Sequence, residues 1–341
     1  MTDSVDAYQT AGRWHRPLLY FVAAMAVTTV ISVIGLFADD RMLVGAPIWA
    51  KPLKFSISFV VYGVTWSWLY SLQTRYRRGG WWLGTVAVVA SVIEMVIIIG
   101  QTVRGHRSHF NTANDFDQVL WIVMGASIVV LFFANLVWAL ALWRQGLGDR
   151  SLNTAIRVGV VLSLVCMGLA FLMTSPTAQQ LAEMRAGADT FTGAHSVGAA
   201  DGGPGLPLLN WSTTGGDLRI PHFIGMHALE AIPLVAALLL WLAPRVQMLR
   251  PEVRRDGLIK VAGAGYAGLV ALVTWQALRG QSIVAPDALT LTAAAVLLGA
   301  VVIGTAVALT RGATGPESVP TQEPSPDEET PVLASDGETA R

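Results

Sequence analysis

Eight apolar stretches separated by polar segments set the pattern of this 341-residue chain. They fall at about 17–38, 53–72, 81–102, 118–143, 154–174, 222–243, 258–278 and 288–310. Each is about 20 residues long, the length a helix needs to cross the hydrocarbon core of a bilayer. In lipid every backbone N–H and C=O must be satisfied within the segment, so such stretches are read as helices. The pattern predicts an all-α, polytopic membrane helix bundle of about eight transmembrane helices over residues 17–310. Residues 1–16 read as a cytoplasmic N-terminal segment. The first apolar stretch is too long for the core of a signal peptide and no cleavage site follows it, so it reads as a retained span. Residues 175–221 are rich in glycine and proline and form a long outer loop, either a lid over a site or a flexible connector. TSPTAQQLAEMRAG at its start reads as a short helix lying on the membrane. The segment 311–341 reads as a disordered, acidic cytoplasmic tail.

Composition agrees with this class. The chain is 53% hydrophobic and 13% charged, about half the charged fraction of a soluble domain, and its mean hydropathy is +0.52. The formal net charge is zero, and the basic residues are spread along the loops, which gives no support for a nucleic-acid partner. The lipid bilayer is the expected partner, and oligomeric state is left open. Fifteen Lys and Arg fall on the side of the termini and eight on the other, so both termini are expected in the cytoplasm. Arginine outnumbers lysine 20 to 3, which reads as the codon bias of a GC-rich genome and points to the inner membrane of a bacterium. The single cysteine, Cys166, permits no internal disulfide and no cysteine-based metal cluster. Residues 263–268 spell GxGxxG, but within an apolar span, where small residues serve close helix approach and not nucleotide binding. No internal repeat is evident.

The candidate chemistry gathers at one end of the spans. Charged and histidine side chains at membrane depth are costly, which makes them functional candidates. The third span carries Glu94 and Gln101, seven apart and on one helix face, followed by Arg104, His106, His109 and Asn111. Glu94 lies roughly 11 Å below the outer end at 1.5 Å per residue. The sixth span opens with His222, His227 and Glu230. Asp217 and Pro221 suit its first turn. His227 and Glu230 are three apart and adjacent on a helix, a pairing that fixes an imidazole's tautomer for a general base, a metal ligand or a proton relay. A histidine–glutamate bond that merely packs helices is the plainer reading, as is a protonated or paired Glu94. The second span begins with Lys51 and Lys54, which either snorkel to the interface or hold an anionic group, Lys54 being the expected partner of Glu94. Asp115 and Asp117 could balance this basic mouth. His195, in the long loop, reads as incidental.

Three blocks, WAKPLKF, GQTVRGHRSHFN and PHFIGMHALE, resemble those of a family of uncharacterised bacterial polytopic integral membrane proteins. The resemblance covers roughly the first 240 residues and implies only that the three blocks belong together; no activity follows from it. The expected site is an outward-facing pocket between the second, third and sixth spans. Glu94, His227 and Glu230 are its candidate catalytic groups. Lys51, Lys54, Gln101, Arg104 and Asn111 are candidate ligands of a small anionic molecule. His109, His222 and His227 are candidate ligands of a haem or a divalent metal. Three functions remain open: a membrane-embedded enzyme or redox protein, a proton-coupled transporter of a small anionic solute, and a non-catalytic binding or sensory protein.

Overall fold

The computed structural model describes residues 14–145, 148–186 and 193–311. Nearly all of the expected N-terminal segment and acidic tail therefore lies outside the described residues. The described chain is mostly helical. Its helices are α1 (Arg16–Ala38), α2 (Ala50–Leu72), α3 (Arg77–Arg104), α4 (Asp115–Trp143), α5 (Arg150–Gly168), α6 (Phe171–Thr174), α7 (Ala178–Arg185), α8 (Arg219–Met226), α9 (Ala228–Leu242), α10 (Glu252–Leu278) and α11 (Ala288–Thr310). Two short antiparallel strand pairs add β1 (Met42–Leu43) with β2 (Ala46–Pro47) and β3 (Ser196–Val197) with β4 (Gly216–Asp217). Seven helical segments are long and apolar enough to cross a membrane, and α8 with α9 supplies an eighth if the bent pair is one span.

Several helices begin earlier than the apolar pattern predicts. The second starts at Ala50, the third at Arg77, the fifth at Arg150 and the seventh spanning segment at Glu252. For α5 the start is fixed by a cap, Asp149 accepting from Leu152 N among the first free N–H groups; α2, α3 and α10 start without a side-chain cap, their polar first turns simply continuing the helix beyond the apolar run. Asn114, Asp149 and Asp287 cap α4, α5 and α11 in this way. His15 does the same for α1, its Nδ1 accepting from Leu18 N at 3.2 Å while its other ring nitrogen lies 2.9 Å from Trp81 O. The predicted short helix in the long loop is α7, closed by a reciprocal Thr177–Gln180 capping box. The sixth apolar stretch is not one straight helix. It bends by 42° at His227. Pro233 lies inside α9 and has no N–H for the Leu229 carbonyl, which weakens the turn next to the break.

Helices α1 to α4 pack mainly on one another, and α5 with α8 to α11 forms a second group. The two groups meet along a seam between α2 and α4 on one side and α5 and α9 on the other. Toward the end opposite the long loop, one apolar cluster closes that seam. Trp66 stacks on Trp138 with ring centroids 4.5 Å apart, and Ile156, Leu229 and Ile232 join them. Close approaches need glycine. A Cβ on Gly225 would collide with the Cys166 side chain, and one on Gly159 would lie 2.9 Å from Ala228 O. The small residues of the GxGxxG stretch serve the same purpose, with Gly265 facing Val301 and Gly268 facing Leu297 of α11.

Candidate functional site

The long loop is anchored, at least over 193–218, and roofs the polar end of the bundle. Lys54 Nζ donates to Leu209 O at 2.8 Å, and Asn210 Nδ2 to Val44 O at 3.2 Å. Arg219 pairs with Asp217 at 2.6 Å and also donates to Asn210 O. Asp217 accepts from Ser212 N at 2.9 Å, and Ser282 Oγ ties Ser212 O to the far side at 3.1 Å. Burial works against the Asp217 charge, yet the Arg219 guanidinium and the backbone N–H hold its carboxyl below the usual range. Of the expected alternatives, lid or connector, this segment is a pinned cover. His195 is not incidental to it: its Nδ1 lies 3.1 Å from Asp201 Oδ1, and Asp201 also accepts from Ser196 N.

Beneath the cover lie the second and third spans. Lys51 Nζ donates to His109 Nδ1 at 3.0 Å. Burial and the neighbouring Lys51 charge push the His109 imidazole well below its ordinary value, so it stays neutral and accepts. Phe55 packs edge-on against both His109 and Phe223. Glu94 is buried and accepts from Ser127 Oγ at 2.9 Å. Lys51, not the expected Lys54, is the lysine in electrostatic reach of Glu94; Lys54 is turned to the loop. Gln101 and Arg104 converge on Asp117 instead of on a ligand site. Gln101 Nε2 donates to Asp117 Oδ1 at 2.8 Å, Arg104 at 2.7 Å, and Asn114 to the other oxygen at 2.8 Å. This knot ties the end of α3 to the start of α4. Asn111 shapes the same loop, donating to Arg107 O and accepting from Ala113 N.

The enclosed space lies deeper, at the seam. A cavity of about 70 Å3 is large enough for several waters. Its walls come from α2 (Ser58, Tyr62), α4 (Asn135), α5 (Ser163) and the α8–α9 break (His227, Glu230), with apolar side chains between them. The third span supplies no lining residue, so the expected pocket between the second, third and sixth spans is replaced by one between the second, fourth, fifth and sixth. Ser58 Oγ lies 3.2 Å from His227 Nε2. On the other face of the ring, Glu230 Oε2 lies 3.5 Å from His227 Nδ1. That carboxylate oxygen is buried and has no hydrogen-bond partner, an unusual state for a carboxylate. The network assigns the ring proton to Nδ1, facing Glu230, and leaves Nε2 to accept from the Ser58 hydroxyl. Tyr62 OH donates to Asn135 Oδ1 at 2.9 Å.

His222 is engaged elsewhere, its Nδ1 2.8 Å from Cys166 O. His109, His222 and His227 thus have three separate sets of partners. No group of three His, Cys, Asp or Glu side chains that could hold a metal ion occurs among the described residues.

Ser58, Tyr62 and Asn135 escaped the sequence reading. A usable signal existed for two of them: Lys51, Phe55, Ser58 and Tyr62 follow one another at three- and four-residue spacing, which puts them on one face of α2. Arg219 was legible only as a basic residue near the start of the sixth span. The chain matches no protein-family model, no curated protein and no solved structure.

Proposed function

We propose that the protein is a membrane-embedded enzyme of the acyl-transfer class. Ser58 is the nucleophile, His227 the general base and Glu230 the group that orients the base. The observation that carries this reading is the Ser58–His227–Glu230 order across one imidazole, at 3.2 and 3.5 Å, on a cavity wall. Nucleophile, base and orienter are recognised by such geometry and not by fold. The 3.5 Å separation is long for a hydrogen bond, as catalytic contacts often are before substrate is bound. In the reaction, Ser58 Oγ bonds to the acyl carbon of an ester while its proton passes to His227 Nε2. The intermediate collapses, the C–O bond to the leaving alcohol breaks, and that oxygen takes the proton from His227. Water, or a second alcohol, then attacks acyl-Ser58 as His227 again accepts the proton, and Ser58 is restored. Asn135, whose carbonyl is taken by Tyr62, keeps its amide hydrogens for the developing oxyanion.

In this reading the chain lies in a bacterial inner membrane with both termini in the cytoplasm, the loop-covered end outside. The separate engagements of the three histidines leave the haem or metal reading without a ligand set among the described residues. The test is turnover in liposomes of a panel of acyl esters by wild type, Ser58→Ala and His227→Ala. Hydrolysis or transfer lost in both variants is the expected result; equal rates in all three contradict the reading.

One observation favours a transporter as second reading. The span broken at a polar residue lies at the seam between two helix groups, where discontinuous helices form transport sites. In that case His227 and Glu230 carry protons, and solute accumulation in liposomes follows an imposed pH gradient.

A further inference from the structure

The reacting groups leave unexplained a cluster of cations at the polar end. Among the described residues, neither Lys51 nor Lys54 has a carboxylate oxygen within 4.0 Å. Glu94 is a carboxylate in electrostatic reach of Lys51, while Lys54, Arg219 and Arg107 all add like charge to it. Lys51 is more than half buried, and the only groups that it and Lys54 meet as hydrogen-bond acceptors are neutral, the His109 ring and the Leu209 carbonyl. The nearest acids are engaged: Asp217 by Arg219 and Glu94 by Ser127. Withdrawing ammonium groups from water beside other cations is costly unless an anion completes the site.

The cluster is in line with the cavity. Lys51 and Ser58 are seven residues apart on one face of α2, about 10 Å along the helix, and the side chain between them is Phe55, packed on Phe223. The order along this face is cation, aromatic ring, serine, apolar cavity. We infer that Lys51 and Lys54 bind the anionic head group, phosphate or carboxylate, of an amphiphile whose acyl ester reaches Ser58 at the cavity wall. The substrate class is therefore an anionic acyl lipid. This inference rests on the Ser58 reading for turnover but not for binding.

The test uses the full chain carrying Ser58→Ala, so that binding is read without turnover. Bound lipid is measured by native mass spectrometry in a neutral detergent, with phosphatidylglycerol, phosphatidylcholine and inorganic phosphate as probes. The expected result is preferential retention of phosphatidylglycerol over phosphatidylcholine, by about 25-fold if each lysine contributes about fivefold near a membrane surface. That preference falls to parity when Lys51→Met and Lys54→Met are added and returns with Lys51→Arg and Lys54→Arg. Equal retention of both lipids, or a preference indifferent to the lysines, overturns the inference. Binding of inorganic phosphate with no lipid preference also overturns it, because the site then serves a free anion. A small uncharged phosphonate separates the two readings. In a chain with native Ser58 it should label the double Met variant as fast as wild type. If labelling is lost there, the lysines serve the fold and the head-group assignment fails. If Ser58 never labels while the lipid preference holds, only the catalytic reading falls.

Discussion

Glu230 Oε2 is a buried carboxylate oxygen without a hydrogen bond, held 3.5 Å from an imidazole nitrogen. A packing contact would be expected to close that gap, since an unpaired buried acceptor costs roughly 1–3 kcal/mol. A group that must steady a transient imidazolium gains by being left free for it. Glu230→Gln should therefore slow turnover, by up to about 10⁴-fold if Glu230 holds the His227 tautomer as the acid of a triad does, with little change in thermal unfolding. A slowed rate with an unaltered melting curve is the outcome that separates this role from a structural one. His195 makes a different prediction. Burial and the Arg219 charge lower its pKa to about 4, against the pull of Asp201 and Asp217. The folded loop keeps the ring neutral, while the unfolded loop protonates near 6.5. The unfolded state thus binds more protons between those values, so the stability of the cover is full above about 6.5 and falls as pH drops toward 4. Protection factors of residues 193–218, their exchange rates taken relative to the intrinsic rate at each pH, should fall between pH 7.5 and 4.5, and less so in His195→Asn. At this scale the sequence exposed the residues that are expensive in a membrane, namely Lys51, Glu94, His227 and Glu230. It hid Ser58 and Asn135, because small polar residues are cheap in an apolar helix and carry meaning only through a partner far away in the chain. His195 and His15 went unvalued for the same reason, their partners being Asp201 and the Trp81 carbonyl.

The break in the sixth span is what aims His227 at Ser58. Both halves of that span are held by close contacts: Gly225 lies against Cys166, and Gly159 against the backbone at Ala228 and Leu229. Gly225→Ala would place a methyl group inside the Cys166 side chain and should destabilise the protein by about 1–3 kcal/mol, the range for overpacking. Cys166→Ala added to it should recover part of the loss, and melting of the four proteins in one detergent reads the coupling. Additive losses would show that α8 and α5 do not meet here. The existence of each span was legible as a run of apolar residues. The bend was not, although Gly225 and Pro233 stood on either side of it, since neither residue alone breaks a membrane helix whose neighbours can satisfy its backbone.

At the scale of the molecule, two helix groups meet at a seam that is open as a cavity on one side and closed by the Trp66–Trp138 stack on the other. The long apolar helices could be picked out from sequence, seven of them, with the bent α8–α9 pair an eighth if it is one span. Their partition into two groups could not, because it depends on which apolar faces fit together. That is why Glu94, expected to share a site with His227 and Glu230, bonds instead to Ser127 and lies outside the cavity lining. Orientation can be tested directly in a Cys166→Ala chain. A cysteine at Gly203 in the covering loop should react with an impermeant maleimide in intact cells, and one at Met248 only after permeabilisation. The reverse pattern would turn the polar end to the cytoplasm.

The proposed chemistry requires Ser58 to be a reactive serine. Its most direct test is the intact mass of the purified protein after treatment with an uncharged fluorophosphonate. One adduct is expected, mapped to Ser58, absent in Ser58→Ala and strongly slowed in His227→Ala. Wild-type protein that remains unmodified in lipid, or is modified equally in the His227→Ala variant, contradicts it.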